Sequence, residues 1–310
     1  MDAAQEKIAV ARLSIYSNTG LVALKIVVGL FMGSVAVLSE AIHSGVDLIA
    51  AIIARFSVKK SAEPADKDHR FGHGKYENLS GAIEGALIFV AAAGIIYSAV
   101  MKFLEESEID YVPAGMAVMG ISAIVNFVVS RRLMEVAKRT DSLALEADAY
   151  HLKTDVWTSV GVFLALTLIQ LTNIHPLDPA IAIVVAAFII RAAYDITRRS
   201  AEGLVDYTLP DEEIRLIERI MKDHQSDYIN FHKLRARKAG SERHIDLHLT
   251  VPRHLNIKQG HDLAEHLAHE IRKEFPQSVV VIHVEPCDEK CETCKMNPPE
   301  NAFAGTKEKG

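Results

Sequence analysis

Six apolar segments dominate the N-terminal two-thirds of the chain, at roughly 8–32, 34–57, 80–104, 112–130, 143–170 and 178–197. Each is close to the ~20 residues that an α-helix needs to cross ~30 Å of hydrocarbon. Within lipid every backbone N–H and C=O must find its partner inside its own segment, which restricts such a chain to a helical membrane bundle. The Met32-Gly33-Ser34 link between the first two segments leaves room only for a hairpin. Basic residues set the expected orientation. Lys59, Lys60, Lys67, Arg70 and Lys75 follow the second segment, Arg131, Arg132, Lys138 and Arg139 the fourth, and Arg198 and Arg199 close the sixth. The connections 105–113 and 171–178 hold no Lys or Arg. Both termini are therefore expected on the cytoplasmic side of the cytoplasmic (inner) membrane. The opening MDAAQEKIAVARL lacks the basic, apolar, small-residue order of a cleavable signal.

Beyond residue 200 the pattern changes, and the mean hydropathy of +0.13 averages two unlike parts. PDEEIRLIERIMKDH (210–224) spaces Ile214, Ile217 and Met221 as a helix does and starts with acids. INFHKLRARK (229–238) and RHIDLHLTV (243–251) read as strands, the second alternating Ile245, Leu247, Leu249 and Val251 with polar residues. An amphipathic helix at 257–275 and a strand at 278–285 complete an αββαβ order, an α+β, metallochaperone-like fold. The expected organisation is thus a six-helix transmembrane domain (1–203), a cytoplasmic αββαβ domain (204–290) and a flexible polar tail (291–310). The mild net charge of -6 carries no nucleic-acid character.

Two apolar segments repeat one polar pattern. EAIHSGVDLIAAII carries His43 and Asp47, and LEADAYHLKTDVWTSVG carries His151 and Asp155. Four residues apart, each pair shares one helix face. An ionisable side chain at membrane depth costs roughly 2.5 kcal/mol or more and usually marks an ion or proton pathway. Two imidazoles and two carboxylates supply four ligands, the number that a tetrahedral divalent metal takes. Without thiolate the set suits Zn2+ well and Fe2+, Co2+ or Mn2+ passably, whereas Ca2+ or Mg2+ would call for oxygen alone. The bland alternative is polar residues hydrogen-bonded within a bundle, and the exact repeat of spacing argues against it. Metal and protons would compete for the same imidazoles, which is the basis of an antiporter.

Three further constellations stand out. In PADKDHRFGHGKYE (64–77), Asp66, His69 and His73 are a carboxylate and two imidazoles at close spacing; a headgroup-facing loop is the alternative. In the soluble part His232, His248, His261, His283 and Glu285 fall on three strands and a helix, able to hold one metal or two if they converge on a sheet edge, while His266 and His269 look like solvated helix positions. Cys287, Cys291 and Cys294, an odd and clustered set, suggest no disulfide framework; they either capture a soft metal or belong to a reduced tail.

Six spans, His/Asp pairs on the second and fifth, FGHGKYE after the second and a C-terminal αββαβ domain together resemble the cation diffusion facilitators, over about residues 8–288. The nearest likeness is to the bacterial ferrous-iron and zinc efflux branch. The resemblance implies a homodimer that exports a divalent metal from the cytoplasm in exchange for protons. It implies that His43, Asp47, His151 and Asp155 form the transport site and that Asp66, His69 and His73 form a loop site. It also assigns His232, His248, His261, His283 and Glu285 to a two-metal site joining the cytoplasmic domains, with Lys75 and Asp206 as a charge interlock between protomers. Two positions depart from the pattern. That branch commonly has Asp at the position of His43, a His there being similar to animal zinc transporters, and Asp at the position of Glu285. The expected activity is Zn2+/H+ antiport rather than enzymatic, with Zn2+ as cargo and as a structural or regulatory ion and no organic cofactor. Iron, manganese, cobalt or cadmium export and a non-transporting metal sensor are the rivals. A metallohydrolase is disfavoured because both His/Asp pairs lie inside apolar spans.

Overall fold

The computed structural model describes residues 3–32, 35–104, 113–172 and 176–287. Two compact units divide the chain, Met1–Leu204 and Val205–Gly310. The tail 291–310, Gly33 and Ser34, and most of the 105–113 connection lie outside the described residues.

The first unit is a bundle of six helices: α1 (Ala3–Met32), α2 (Val35–Ser61), α3 (Lys75–Leu104), α4 (Pro113–Thr140), α5 (Leu143–Thr172) and α6 (Leu177–Leu204). Among the described residues five contain a stretch long and apolar enough to cross a membrane: Ala3–Phe31, Ala41–Ser61, Lys75–Met101, Ala117–Thr140 and Pro179–Leu204. The helix α5 is as long, 30 residues, but its first half carries Glu146, Asp148, His151, Lys153 and Asp155. The helices also overrun the apolar segments. The α2 helix continues to Ser61, α3 begins at Lys75 and α4 runs on to Thr140. Apolar length marks the thickness of hydrocarbon; a nucleated helix keeps adding hydrogen bonds into the polar region beyond it.

Three pairings build the bundle, α1 with α2, α3 with α6 and α4 with α5, and α2 and α3 also reach α5. Small residues allow the α3–α6 approach: a methyl group at Gly81 or Gly85 would collide with Ser200 or Thr197 of α6. Val58, Leu133, Val136, Leu145 and Leu152 fill one apolar cluster, and Ile88, Ala92, Ile189 and Ala193 fill a second. At one end the fully buried Glu77 of α3 accepts hydrogen bonds from Lys7 Nζ (2.9 Å), Ser61 Oγ (3.0 Å) and Ser142 Oγ. That network ties α1, α2 and the start of α5 to α3.

The second unit orders α7 (Asp211–Asp223), β1 (Asn230–Ala239), β2 (Glu242–Val251), α8 (Ile257–Glu274) and β3 (Ser278–Pro286). The sheet order is β1-β2-β3, with β1 antiparallel and β3 parallel to β2. A parallel neighbour needs a crossover, which α8 supplies. That helix starts in a capping box: Gln259 N donates to Asn256 Oδ1 (2.9 Å) and Asn256 N donates to Gln259 Oε1 (3.0 Å). Its Leu263, Leu267 and Ile271 join Ile245, Leu247 and Leu249 of β2 and Ile217 and Met221 of α7 in one apolar core. The tyrosine Tyr228 is buried there, its hydroxyl donating to the Met221 carbonyl (2.5 Å), and burial pushes the phenol up to about 12, so it remains a donor. The β1–β2 ladder shifts register between His232 and Arg235, where Lys233 takes a positive φ of 51°.

Candidate metal centres

The first centre is built by α2 and α5. Their i, i+4 spacing puts His43 and Asp47 on one face of α2, and His151 and Asp155 on one face of α5. The pairing between helices is crosswise. His151 Nε2 lies 2.9 Å from Asp47 Oδ1, and His43 Nε2 lies 3.7 Å from Asp155 Oδ1. One ligand atom from each of His43, Asp47 and Asp155 falls within 4.8 Å of the other two, and His151 joins them through Asp47. Both Asp47 and His151 are buried. His43, Asp47 and Asp155 line a cavity of about 510 Å³, together with Ser98 of α3, Ser122 of α4 and Thr158 of α5.

Two polar neighbours complete this centre, and neither stood out in the sequence. Asn126 Nδ2 of α4 donates to Asp155 Oδ2 (3.2 Å), and Lys25 Nζ of α1 donates to Ser44 Oγ (2.8 Å), one residue from His43. The available signal was Ser122 and Asn126 at helical spacing in an apolar segment, and a lysine in the middle of another. An amide aimed at a carboxylate fixes the orientation in which that oxygen meets a cation.

The second centre is the α2–α3 loop. Asp66 Oδ1 accepts from the backbone N–H groups of His69 (2.6 Å) and Asp68 (2.9 Å), and the His69 amide chiefly holds this carboxyl below its usual range. His69 Nδ1 is 3.3 Å from Asp66 Oδ1, and His73 Nε2 is 3.2 Å from Asp66 Oδ2. The two imidazole rings stand 4.5 Å apart. Gly72, with φ 77°, makes the reversal that brings His73 back onto Asp66. His73 is buried, while Asp66 and His69 face outward.

The third centre lies on the sheet. Register puts His232 opposite His248, and His248 opposite His283, so one face carries three imidazoles in a row. His248 Nδ1 is 2.8 Å and His232 Nε2 is 3.0 Å from Glu285 Oε1, and the His248–His283 rings are 4.7 Å apart. The hydrogen bond with His248 keeps the Glu285 carboxyl below its usual range. One ligand atom from each of His232, His248 and Glu285 falls within 4.8 Å of the other two. His261 is exposed on α8 and does not join that triplet. The half-buried His266 packs edge-on against His224, its ring 5.2 Å away. Lys75 Nζ donates to the Leu204 carbonyl (3.2 Å), and Asp206 pairs with Arg237 (3.0 Å). Cys287 is buried just past β3, and Cys291 and Cys294 lie outside the described residues.

A bundle with His/Asp pairs on two facing helices, followed by an αββαβ domain with a histidine-lined sheet, defines a metal-handling membrane protein. The chain belongs to the cation efflux family, the cation diffusion facilitators: residues 11–205 match the cation efflux transmembrane domain, and residues 209–287 match the cytoplasmic domain of cation efflux proteins. It is 38% identical to the uncharacterized transporter sll1263 of Synechocystis sp. over 279 residues, covering 90% of each chain. It is 30% identical to the manganese efflux system protein MneP of Bacillus subtilis (89% of this chain, 95% of that one). With the cation-efflux pump FieF of Shewanella oneidensis the identity is 28%, covering 89% and 93%. The protein is therefore a multi-pass membrane transporter of the cation efflux family.

Proposed function

We propose that the chain exports Zn2+ from the cytoplasm in exchange for protons, as a homodimer. The observation that carries this reading is the crosswise meeting of His43 and Asp47 of α2 with His151 and Asp155 of α5, three of the four lining one cavity and His151 bound to it through Asp47. Two nitrogen and two carboxylate donors favour Zn2+ over harder ions. Each imidazole must be neutral to bind a metal, so cation and proton take turns at His43 and His151. Both helices line the same cavity, and rocking of the bundle would turn that cavity to the other side, as alternating access requires. The loop centre at Asp66, His69 and His73 collects cations from the cytoplasm. His232, His248, His261, His283 and Glu285 hold regulatory zinc in the cytoplasmic domain, whose matching family carries dimerisation in its name, ZT_dimer. Lys75 and Asp206 from different protomers would lock the dimer near the membrane surface. Both termini face the cytoplasm.

The test is Zn2+ uptake into inside-out vesicles under an imposed proton gradient, wild type beside Asp155→Ala. The variant should lose flux while staying folded and dimeric; wild-type flux indifferent to the gradient would refute exchange. A second reading, Mn2+ export, is favoured by the relative named a manganese efflux protein. Flux that Mn2+ suppresses at lower concentration than Zn2+ would establish it.

A further inference from the structure

The cation centre leaves two buried acids unaccounted for. Glu84 on α3 and Asp148 on α5 are both wholly buried, and these helices pack together. Glu84 Oε1 accepts from Ser80 Oγ (2.9 Å). Glu84 Oε2 has no hydrogen-bond partner among the described residues, and the oxygens of Asp148 meet no donor at full hydrogen-bond geometry, although the Ser14 hydroxyl lies within reach of them. Ser14 of α1 is wholly buried, and its hydroxyl faces Asp148, to which it can donate one hydrogen bond. The charged groups that act on the pair are each other and, for Asp148, also His151 and Asp47.

Two like charges buried on packed helices repel, and the repulsion favours a proton on one of them. An ionised carboxylate only accepts hydrogen bonds, whereas a protonated one also donates. The single hydrogen of the Ser14 hydroxyl can serve only one of these three acceptor oxygens, so the other two call for a hydrogen on the acids themselves. Asp148 stands three residues before His151 on α5, one helical turn from the cation centre, and interacts with both Glu84 and the His151–Asp47 pair, so charge arriving at the cation centre changes what the two acids can hold. We propose that Glu84 and Asp148 together form a proton-binding site, separate from the cation centre, that holds one proton when the centre lacks cation and gives it up when a divalent cation arrives. The acid O–H bond then breaks, the proton leaves to solvent, and both carboxylates remain as anions opposite the added positive charge. This inference rests on the exchange reading above and adds a second proton carrier to the two imidazoles.

The experiment titrates Zn2+ into the weakly buffered, detergent-solubilised full-length protein and counts the protons released. Glu84→Gln, which imitates the protonated acid, should release about one proton fewer per Zn2+ than wild type, and Glu84→Asp should restore the count. In parallel, Zn2+ addition should remove a protonated-carboxyl C=O band from the wild-type infrared spectrum, a band that Glu84→Asp shifts even if the Gln variant fails to fold. Equal proton counts in wild type and Glu84→Gln, or no such band in wild type, would overturn the proposal. Were wild type to release no protons at all on binding Zn2+, the exchange reading itself would fail, and the infrared band would still decide whether the pocket holds a proton.

Discussion

His151 on α5 meets Asp47 on α2 at 2.9 Å, although 104 residues separate them in the chain. The reverse pair, His43 with Asp155, stands at 3.7 Å. Each helix thus supplies the counter-group for the other, and the same four side chains proposed to bind the cation also join α2 to α5. An imidazole–carboxylate contact is charge-assisted when the ring is protonated. Protonation therefore favours the contact between the helices, and under the proposed exchange a divalent cation would replace it.

Asp47→Asn should separate the binding role from the packing role. The amide keeps the shape and a hydrogen bond to His151 but removes one negative charge and one metal ligand. Loss of a group that merely orients a ligand costs 10–100-fold in metal affinity, so loss of the ligand itself should weaken Zn2+ binding by about 100-fold or more. Competition against a chromophoric zinc chelator measures it, with circular dichroism to confirm unchanged helix content. Unaltered affinity would remove Asp47 from the centre.

Much of this architecture was legible in the residues, and the exceptions have physical reasons. The six helices announced themselves because hydrocarbon demands length, and the strand 243–251 because one buried face demands alternation. Helix ends were less visible, since α3 and α4 run on where polar residues begin. Spacing placed His43 with Asp47 and His151 with Asp155 on common faces, but a face does not reveal its partner, so the crosswise pairing had to be seen. Asn126 acquires meaning only beside Asp155. Glu77 sits within FGHGKYE, yet its links to Lys7 and Ser142 join positions 70 and 65 residues away. The positive φ of Lys233, at the irregularity beside His232, left no mark in the sequence because lysine has no preference for that conformation.

The Lys7–Glu77 pair, both side chains buried at 2.9 Å, should behave as a unit. Removing one partner strands the other charge, at a cost of about 3–5 kcal/mol. Lys7→Met and Glu77→Gln should each sharply lower the folded yield, and the double variant should recover part of the loss. A double-mutant cycle on chemical denaturation of the detergent-solubilised protein measures the coupling. Additive losses would mean that the pair contributes no shared energy.

Acid should loosen the cytoplasmic domain through His266. Burial, and then the neighbouring His224, hold this imidazole below its ordinary 6.5, so near that value the unfolded chain binds more protons than the folded one. The sign is then fixed: stability is fully present above 6.5 and falls as pH drops through the lowered value. Hydrogen exchange of α8 amides in the full-length protein should show wild type losing protection relative to His266→Gln as pH falls. The difference should remain under about 1 kcal/mol, because solvent screens a half-exposed ring. An advantage of wild type that grows in acid would reverse the assignment.

Asn126 offers a route to altered metal preference. Its amide donates to Asp155 Oδ2 at 3.2 Å and orients the other oxygen toward His43. Asn126→Ala removes that orientation and should lower Zn2+ affinity by about tenfold, at the mild end for a supporting partner, with the fold intact because the residue lines a cavity. Asn126→Asp has the opposite character. It replaces a donor by an acceptor, adds negative charge beside Asp155 and enriches the centre in oxygen, which harder ions prefer. The ratio of Mn2+ to Zn2+ flux in vesicles should therefore rise in Asn126→Asp and stay near the wild-type value in Asn126→Ala, where affinity falls without a change of donor type. A ratio that moves equally in both variants would show that cavity volume, and not ligand chemistry, governs the choice of metal here.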